Sequence, residues 1–222
     1  MSPTPWELTR ESFLSESEVS ALIQFLRRAA GSDVSLEVDR IIAETLLFTG
    51  IRNTEFCRLT LGDLDLAANQ PALRVSEKPG EVRSVYLPGE LATLLSRYLR
   101  EIRPARLLAG MDPTDPAQPL FVNERGKPYE RTALYRRVVK ILSAAGLAER
   151  ASVQLLRHTY GYLAYKRTGG NLLFVQQQLG HAHPMVTAIY AQFVSFDPLQ
   201  LANAVAGGPP SAEAASSAGA LP

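Results

Sequence analysis

Five residues scattered along this 222-residue chain are of types that could do chemistry together. Near the C-terminal end, "LGHAHPMVTAIYAQFV" sets His181 and Tyr190 nine residues apart, and "LLRHT" upstream carries Arg157. Arg52 follows "FTGI", and Lys78 sits in "SEKPGE". A tyrosine oxygen can act as a nucleophile, with a histidine steadying what it attacks. Its reference pKa of about 10 means that attack at neutral pH needs a base or a strong cationic field. Each residue also has an ordinary explanation. Arg52 could cap a helix, Arg157 could pair with a carboxylate, and Lys78 could be a turn lysine. His181 could sit at a helix cap, and Tyr190 could pack half-buried like most of the eight tyrosines.

Other chemistries fit poorly. "EKPGEV" lacks the glycine–lysine–serine/threonine order and the following helix of a phosphate-binding P-loop, and no Gly-x-Ser-x-Gly elbow occurs. A zinc site would have to draw on His158, His181, His183 and Cys57 with no close carboxylate, so no metal and no other cofactor is expected. One cysteine leaves no disulfide framework, which fits a reducing cytoplasm. No stretch approaches a membrane span and no membrane partner is expected. The net charge of +1 hides an uneven distribution. Residues 1–50 carry four bases against eight acids, and residues 51–200 carry nineteen against thirteen. "RGKPYERTALYRRVVK" (125–140) alone holds six bases, Arg125, Lys127, Arg131, Arg136, Arg137 and Lys140, and one acid. Such a stripe is the footprint of a phosphate-binding face or of a solvated helix surface.

The positioning elements are mostly helical. "LSESEVSALIQFLRRAAG" has a Ser cap, an acidic first turn and helical apolar spacing, and "SLEVDRIIAETLLFTG" reads as a more buried helix ending at Gly50. "RNTEFCRLTLGDLDL" reads as a third helix, broken at Gly62. "ALRVSEKPGEVRSVYLP" alternates β-branched residues on either side of "KPGE", a hairpin signature. A helix over 89–102, a Pro- and Asp-rich loop over 104–119 and a short extended piece with a turn at Gly126 follow. From Arg131 a helix buries Leu134, Val138, Ile141 and Ala145 and turns Arg136, Arg137 and Lys140 outward. A helix from a Ser152 cap through Lys166, "NLLFVQQQLG" and the His181–Tyr190 stretch complete a mostly α (α+β) fold with a small antiparallel sheet.

Taken together and in order, "TGIRNTEFCRLTLGDLDL", the hairpin lysine with Arg83 five residues on, "LFVNERGKPYERTALYRRVVKILSAAGL", "LLRHTYGYLAYKRTGG" and "LGHAHPMVTAIY" resemble the catalytic domain of the tyrosine recombinases, the phage integrase family. The resemblance runs from about Phe13 to Phe193, with Tyr190 lying 33 positions after Arg157. It implies a site-specific DNA recombinase or integrase working through a 3′-phosphotyrosine intermediate. Tyr190 would attack a DNA phosphodiester and release a 5′-hydroxyl. Arg52 and Arg157 would hold the non-bridging oxygens through planar, permanently charged forks, and His181 would add a hydrogen bond. Lys78 would protonate the leaving oxygen, and Glu55 would orient Arg52. Arg83 and the basic stripe would contact double-stranded DNA.

The chain departs from the family pattern at Gln154, where a histidine usually stands. A glutamine can hydrogen-bond the phosphate but cannot hold a proton near pH 7. His158, at i+4 on the same face, or water would then take the tyrosine proton, unless His158 packs against the core. The expected layout is an N-terminal extension (1–12), a catalytic domain (13–206) and a disordered tail (207–222). A dozen residues leave no room for the family's usual N-terminal DNA clamp, so weak binding by a lone protomer is expected, with a homo-oligomer, a tetramer on two DNA sites, or an accessory DNA-binding protein completing the grip. "SFDPLQLANAVA" (195–206) has an apolar face suited to a neighbouring subunit or to its own domain. A catalytically impaired DNA-binding regulator and a type IB topoisomerase-like enzyme are the rival expectations.

Overall fold

Two buried residues, Phe13 and Leu14, anchor the chain before its first helix. The Leu14 N–H donates to Thr159 Oγ1 at 2.9 Å, tying the N-terminal side to a helix 145 residues away. The structure, a computed structural model, describes residues 8–31, 33–78 and 80–207, without the side chains of residues 77, 78, 201, 204, 206 and 207. Ser15 and Glu18 form the capping box expected from their spacing and open α1 (Glu16–Ala30). α2 (Val34–Thr49) is apolar on most sides and runs through the centre, packed against α1, α4 (Gly89–Arg97), α5 (Arg131–Ala144) and α6 (Val153–Arg167). Its buried Glu44 is paired with Arg40 at 2.8 Å, which offsets the cost of burying a carboxylate.

α3 (Asn53–Arg58) is shorter than the expected third helix. Pairing with the returning chain displaces helical bonding: the Leu59 carbonyl accepts from Leu120 N–H and the Gln118 carbonyl accepts from Leu61 N–H, both at 2.8 Å. Leu64 and Asp65 then become β1, a third strand beside the expected hairpin of β2 (Ala72–Lys78) and β3 (Glu81–Tyr86). The sheet is antiparallel in the order β1-β2-β3, with Val75 opposite Arg83 and Lys78 opposite Glu81. The 104–119 loop is pinned by Arg103, 1% exposed, whose guanidinium donates to the carbonyls of Pro113, Pro119 and Leu120. Stacked Phe56 and Phe121, with centroids 4.2 Å apart, close the same region.

α6, α7 (Leu172–Leu179), α8 (Pro184–Ala188) and α9 (Pro198–Gly207) follow. The His181–Tyr190 stretch after the Gly180 turn forms α8, a 3-10 turn (Ala191–Phe193) follows it, and Tyr190 lies at the junction. Among the described residues no helix is long and apolar enough to cross a membrane. Most of the tail expected to be disordered, residues 208–222, lies outside the described residues.

Gly50 ends α2 in the left-handed region (φ 62°), and a Cβ there would lie 2.6 Å from Tyr160 Cδ1 and 2.7 Å from Leu179 Cδ2. Left-handed strain and overpacking together set an expected cost of about 2–4 kcal/mol for Gly50→Ala. Urea unfolding should show a lower midpoint at unchanged slope.

Candidate active site

Arg157 projects from α6 and is 5% exposed. Among the described residues it pairs with no carboxylate. Its guanidinium donates instead to the Gly50 carbonyl at the end of α2 and, at 2.7 Å, to the Leu179 carbonyl at the end of α7. Arg52, at the start of α3, donates Nη2–H to the next carbonyl along, Gly180, at 3.0 Å. The two guanidiniums therefore grip adjacent carbonyls of one helix end, where the helix dipole favours positive charge. Burial, and then Arg52 beside it, push the Arg157 pKa down to about 10, so it stays charged at neutral pH.

Glu55 fixes Arg52 from the other side. Its carboxylate accepts from the Arg52 backbone N–H at 2.6 Å and from Arg52 Nη1 at 2.9 Å. It also receives a two-pronged bond from Arg83, at 2.9 Å on each oxygen. Burial raises the Glu55 carboxyl, but the Arg83 and Arg52 bonds outweigh it and hold the group below the ordinary carboxylate range. Arg83, expected as a DNA contact, thus points inward, and its Nε donates to the Gln178 carbonyl at 3.1 Å. It is a strut under Arg52.

Tyr190 is 1% exposed. Its ring lies across the α6 backbone at Gly161, where a Cβ would come within 2.2 Å of Cζ. The phenol oxygen is 3.1 Å from His158 Nδ1, and His158 Nε2 is 2.9 Å from the Gln154 amide. His158 is therefore neither idle nor simply packed: it bridges the tyrosine and the exposed glutamine. Gln154 can satisfy either imidazole tautomer by turning its amide end for end. Burial raises the Tyr190 phenol to about 12, with Arg157 pulling it back. Burial and Arg157 lower His158 to about 4. His181 Nδ1 sits 2.9 Å from Thr187 Oγ1, and burial, Arg157 and Arg52 lower this imidazole to about 3. Arg52, Gln154, Arg157, His158, His181 and Tyr190 all line one cleft of about 310 Å³.

Lys78 ends β2, and its side chain lies outside the described residues. Of the basic stripe, Arg125, Lys127, Arg136 and Lys140 are exposed around a groove of about 850 Å³ between α5 and the turn at Gly126. Arg131 is exposed at the start of α5, and its carbonyl accepts from Asn53 next to Arg52, which sets the head of the stripe beside the cleft. Arg137 departs from the expected outward cation: its guanidinium is occupied by Asp39, Glu124, Tyr129 Oη and Ser35. Two site residues went unread in the sequence. Gly161, a lone glycine inside a helical pattern, carried a signal of close packing. Thr187 carried none beyond its place in the His181–Tyr190 stretch.

Residues 12–194 match the phage integrase family. The chain belongs to that family. It is 35% identical over 179 residues to the tyrosine recombinase XerD of Pseudomonas putida, covering 80% of this chain and 56% of that protein. To the tyrosine recombinase XerH of Campylobacter jejuni it is 28% identical over 195 residues, covering 87% and 51%. Among solved structures it resembles XerH bound to a palindromic difH substrate after cleavage, with a TM-score of 0.69 at 26% identity over 89% of this chain and 53% of that one. It also resembles the XerA recombinase, with a TM-score of 0.64 at 29% identity over 94% and 68%. The chain spans about half the length of the curated relatives it matches. The mostly helical fold with its three-stranded antiparallel sheet is that of the tyrosine recombinase catalytic domain.

The lowered imidazole values give a pH dependence with a defined sign. An unfolded histidine binds a proton near pH 6.5, whereas folded His158 and His181 do so only near 4 and 3. Between those values the unfolded chain holds more protons, so stability is full above about pH 6.5 and falls as pH drops toward 4. Urea midpoints at pH 7 and pH 5 should differ in the wild type and differ less in His181→Gln. An equal difference in both proteins rejects the assignment.

Proposed function

We propose that residues 13–206 form the catalytic domain of a site-specific DNA recombinase that cuts and rejoins double-stranded DNA through Tyr190 in the cytoplasm. The observation that carries this reading is the single cleft lined by two carbonyl-anchored guanidiniums, two neutral imidazoles and the tyrosine. In the proposed reaction a backbone phosphate enters beside Arg52 and Arg157, whose forks accept the charge that builds on its non-bridging oxygens. His181 adds a hydrogen bond. The Tyr190 oxygen bonds to phosphorus, the bond to the 5′ oxygen breaks, and Lys78 gives that oxygen a proton. The 3′-phosphotyrosine is later attacked by a 5′-hydroxyl, which reverses the step without an external energy source. His158 takes the phenol proton. Its low value in the free protein is caused partly by Arg157, and a phosphate in the cleft offsets that field and raises the imidazole's proton affinity.

Incubation with a nicked duplex, followed by a denaturing gel, tests the reading. The wild type should form a covalent protein–DNA adduct and Tyr190→Phe none; an adduct that survives in Tyr190→Phe sinks the proposal, and its absence in both favours a DNA-binding regulator. His158→Ala should slow adduct formation by roughly a hundredfold, as for loss of a general base. No effect there, with no gain in Gln154→His, would leave water as the proton acceptor.

The exposed cations of the α5 groove supply the phosphate contacts away from the cleft. Removing Arg136 and Lys140 together should flatten the slope of log binding constant against log salt by about 2. Arg137→Ala should leave that slope unchanged and lower the unfolding midpoint instead, because its partners are internal. Assembly into a tetramer on two sites is part of this proposal, supported by the exposed Leu199 and Val205 of α9 and by a groove between β3 and α7 rimmed by exposed Val82, Tyr86 and Leu173. An accessory DNA-binding protein is the alternative source of further DNA contacts.

A further inference from the structure

Thr187 lies three residues before Tyr190 on α8, and its side chain is fully buried. Its hydroxyl faces His181 Nδ1 at 2.9 Å, and no other hydrogen bond to Oγ1 is present among the described residues. Its backbone carbonyl accepts the Tyr190 N–H at 3.2 Å. One residue thus touches both the histidine of the cleft and the segment that carries the tyrosine.

The hydroxyl decides where the imidazole proton sits. Burial and the neighbouring Arg157 and Arg52 keep His181 neutral, so the ring has a single N–H. Were that proton on Nδ1, it would donate to Oγ1 and the threonine's own hydrogen would be buried without an acceptor. With the proton on Nε2, the hydroxyl donates to Nδ1 and no hydrogen of the pair is wasted. The two ring nitrogens point to opposite sides, so the nitrogen turned from Thr187 is the one available to the cleft that His181 lines. The alternative tautomer would present a lone pair to an incoming anion.

We infer that Thr187 is a positioning residue that locks His181 as the Nε2–H tautomer, so that the histidine offers a donor to an anion in the cleft. Through its carbonyl it also ties that donor to the turn bearing Tyr190. That the anion is a DNA phosphate rests on the proposed function; the tautomer does not.

Two measurements on the full chain test this separately. Long-range proton–nitrogen NMR on the DNA-free protein at pH 7 reads the protonated nitrogen directly, and with three histidines in the chain His181→Gln assigns the signal. The wild type and Thr187→Ser should show Nε2–H alone, and Thr187→Val a mixture. An Nδ1–H ring in the wild type overturns the inference. In the adduct assay, Thr187→Val should slow the covalent step by roughly tenfold or more, in the range for weakening one preorganised donor, at unchanged DNA affinity, with Thr187→Ser restoring the rate. In a His181→Gln background the valine substitution should cost nothing further. An equal loss in both backgrounds marks a packing role and overturns it. If the wild type forms no adduct at all, the phosphotyrosine reading fails while the NMR result still decides the role of Thr187.

Discussion

Two guanidiniums do not sit side by side in a protein interior unless something negative holds them, and here the holders are backbone carbonyls. Gly50, Leu179 and Gly180 present the free oxygens of two helix C-termini, and both glycines are left-handed so that the chain can leave those ends open. Carbonyls orient an arginine without cancelling its charge. Glu55 adds a carboxylate that is shared between Arg52 and Arg83. The cleft thus carries guanidiniums held in fixed directions, the arrangement that the proposed phosphate binding requires.

Burial first, and then these guanidiniums, govern the neighbouring rings. Both imidazoles lie within reach of Arg157 and are held neutral, and a neutral imidazole is a directional group with one donor and one acceptor. For His181 the direction comes from Thr187 behind the ring, whereas Gln154 beside His158 can serve either tautomer. Tyr190 experiences the opposite balance. Burial outweighs the pull of Arg157, and the phenol keeps its proton while the cleft is empty.

Much of this could be read from residue types and spacing. The Ser15 cap, the Gly50 stop, the hairpin and the separation of Arg157, His181 and Tyr190 are local patterns, and local patterns survive in a sequence. What could not be read depends on which way a long side chain turns. Arg83 and Arg137 look like surface cations in sequence, and each folds inward because acids from distant segments, Glu55 and Asp39, converge on it. The early end of α3 has the same origin, since Leu59 and Leu61 exchange helical bonds for partners at Gln118 and Leu120. Thr187 was invisible because a threonine on a short helix has no sequence signal until a histidine is seen against it.

α6 carries more of the site than any other element: Gln154, then Arg157 and His158 a turn further on, then Gly161 as the floor beneath the tyrosine ring. Tyr190 itself hangs on a five-residue helix and a 3-10 turn, which supply few backbone bonds of their own. Its placement therefore depends on lateral contacts: the Gly161 seat, the His158 bond and, just beyond, Phe193 edge-on to Phe13 at 4.9 Å. Phe13 also stacks on Tyr162 of α6 at 4.4 Å, so the N-terminal approach to α1 and the tyrosine segment share one aromatic cluster. A group held by several weak lateral contacts can shift over short distances without unfolding its helix. The arginines, fixed by helix ends, cannot. The geometry sets arginines held at helix ends against a tyrosine held largely by side contacts, and α6 is the surface on which the two meet.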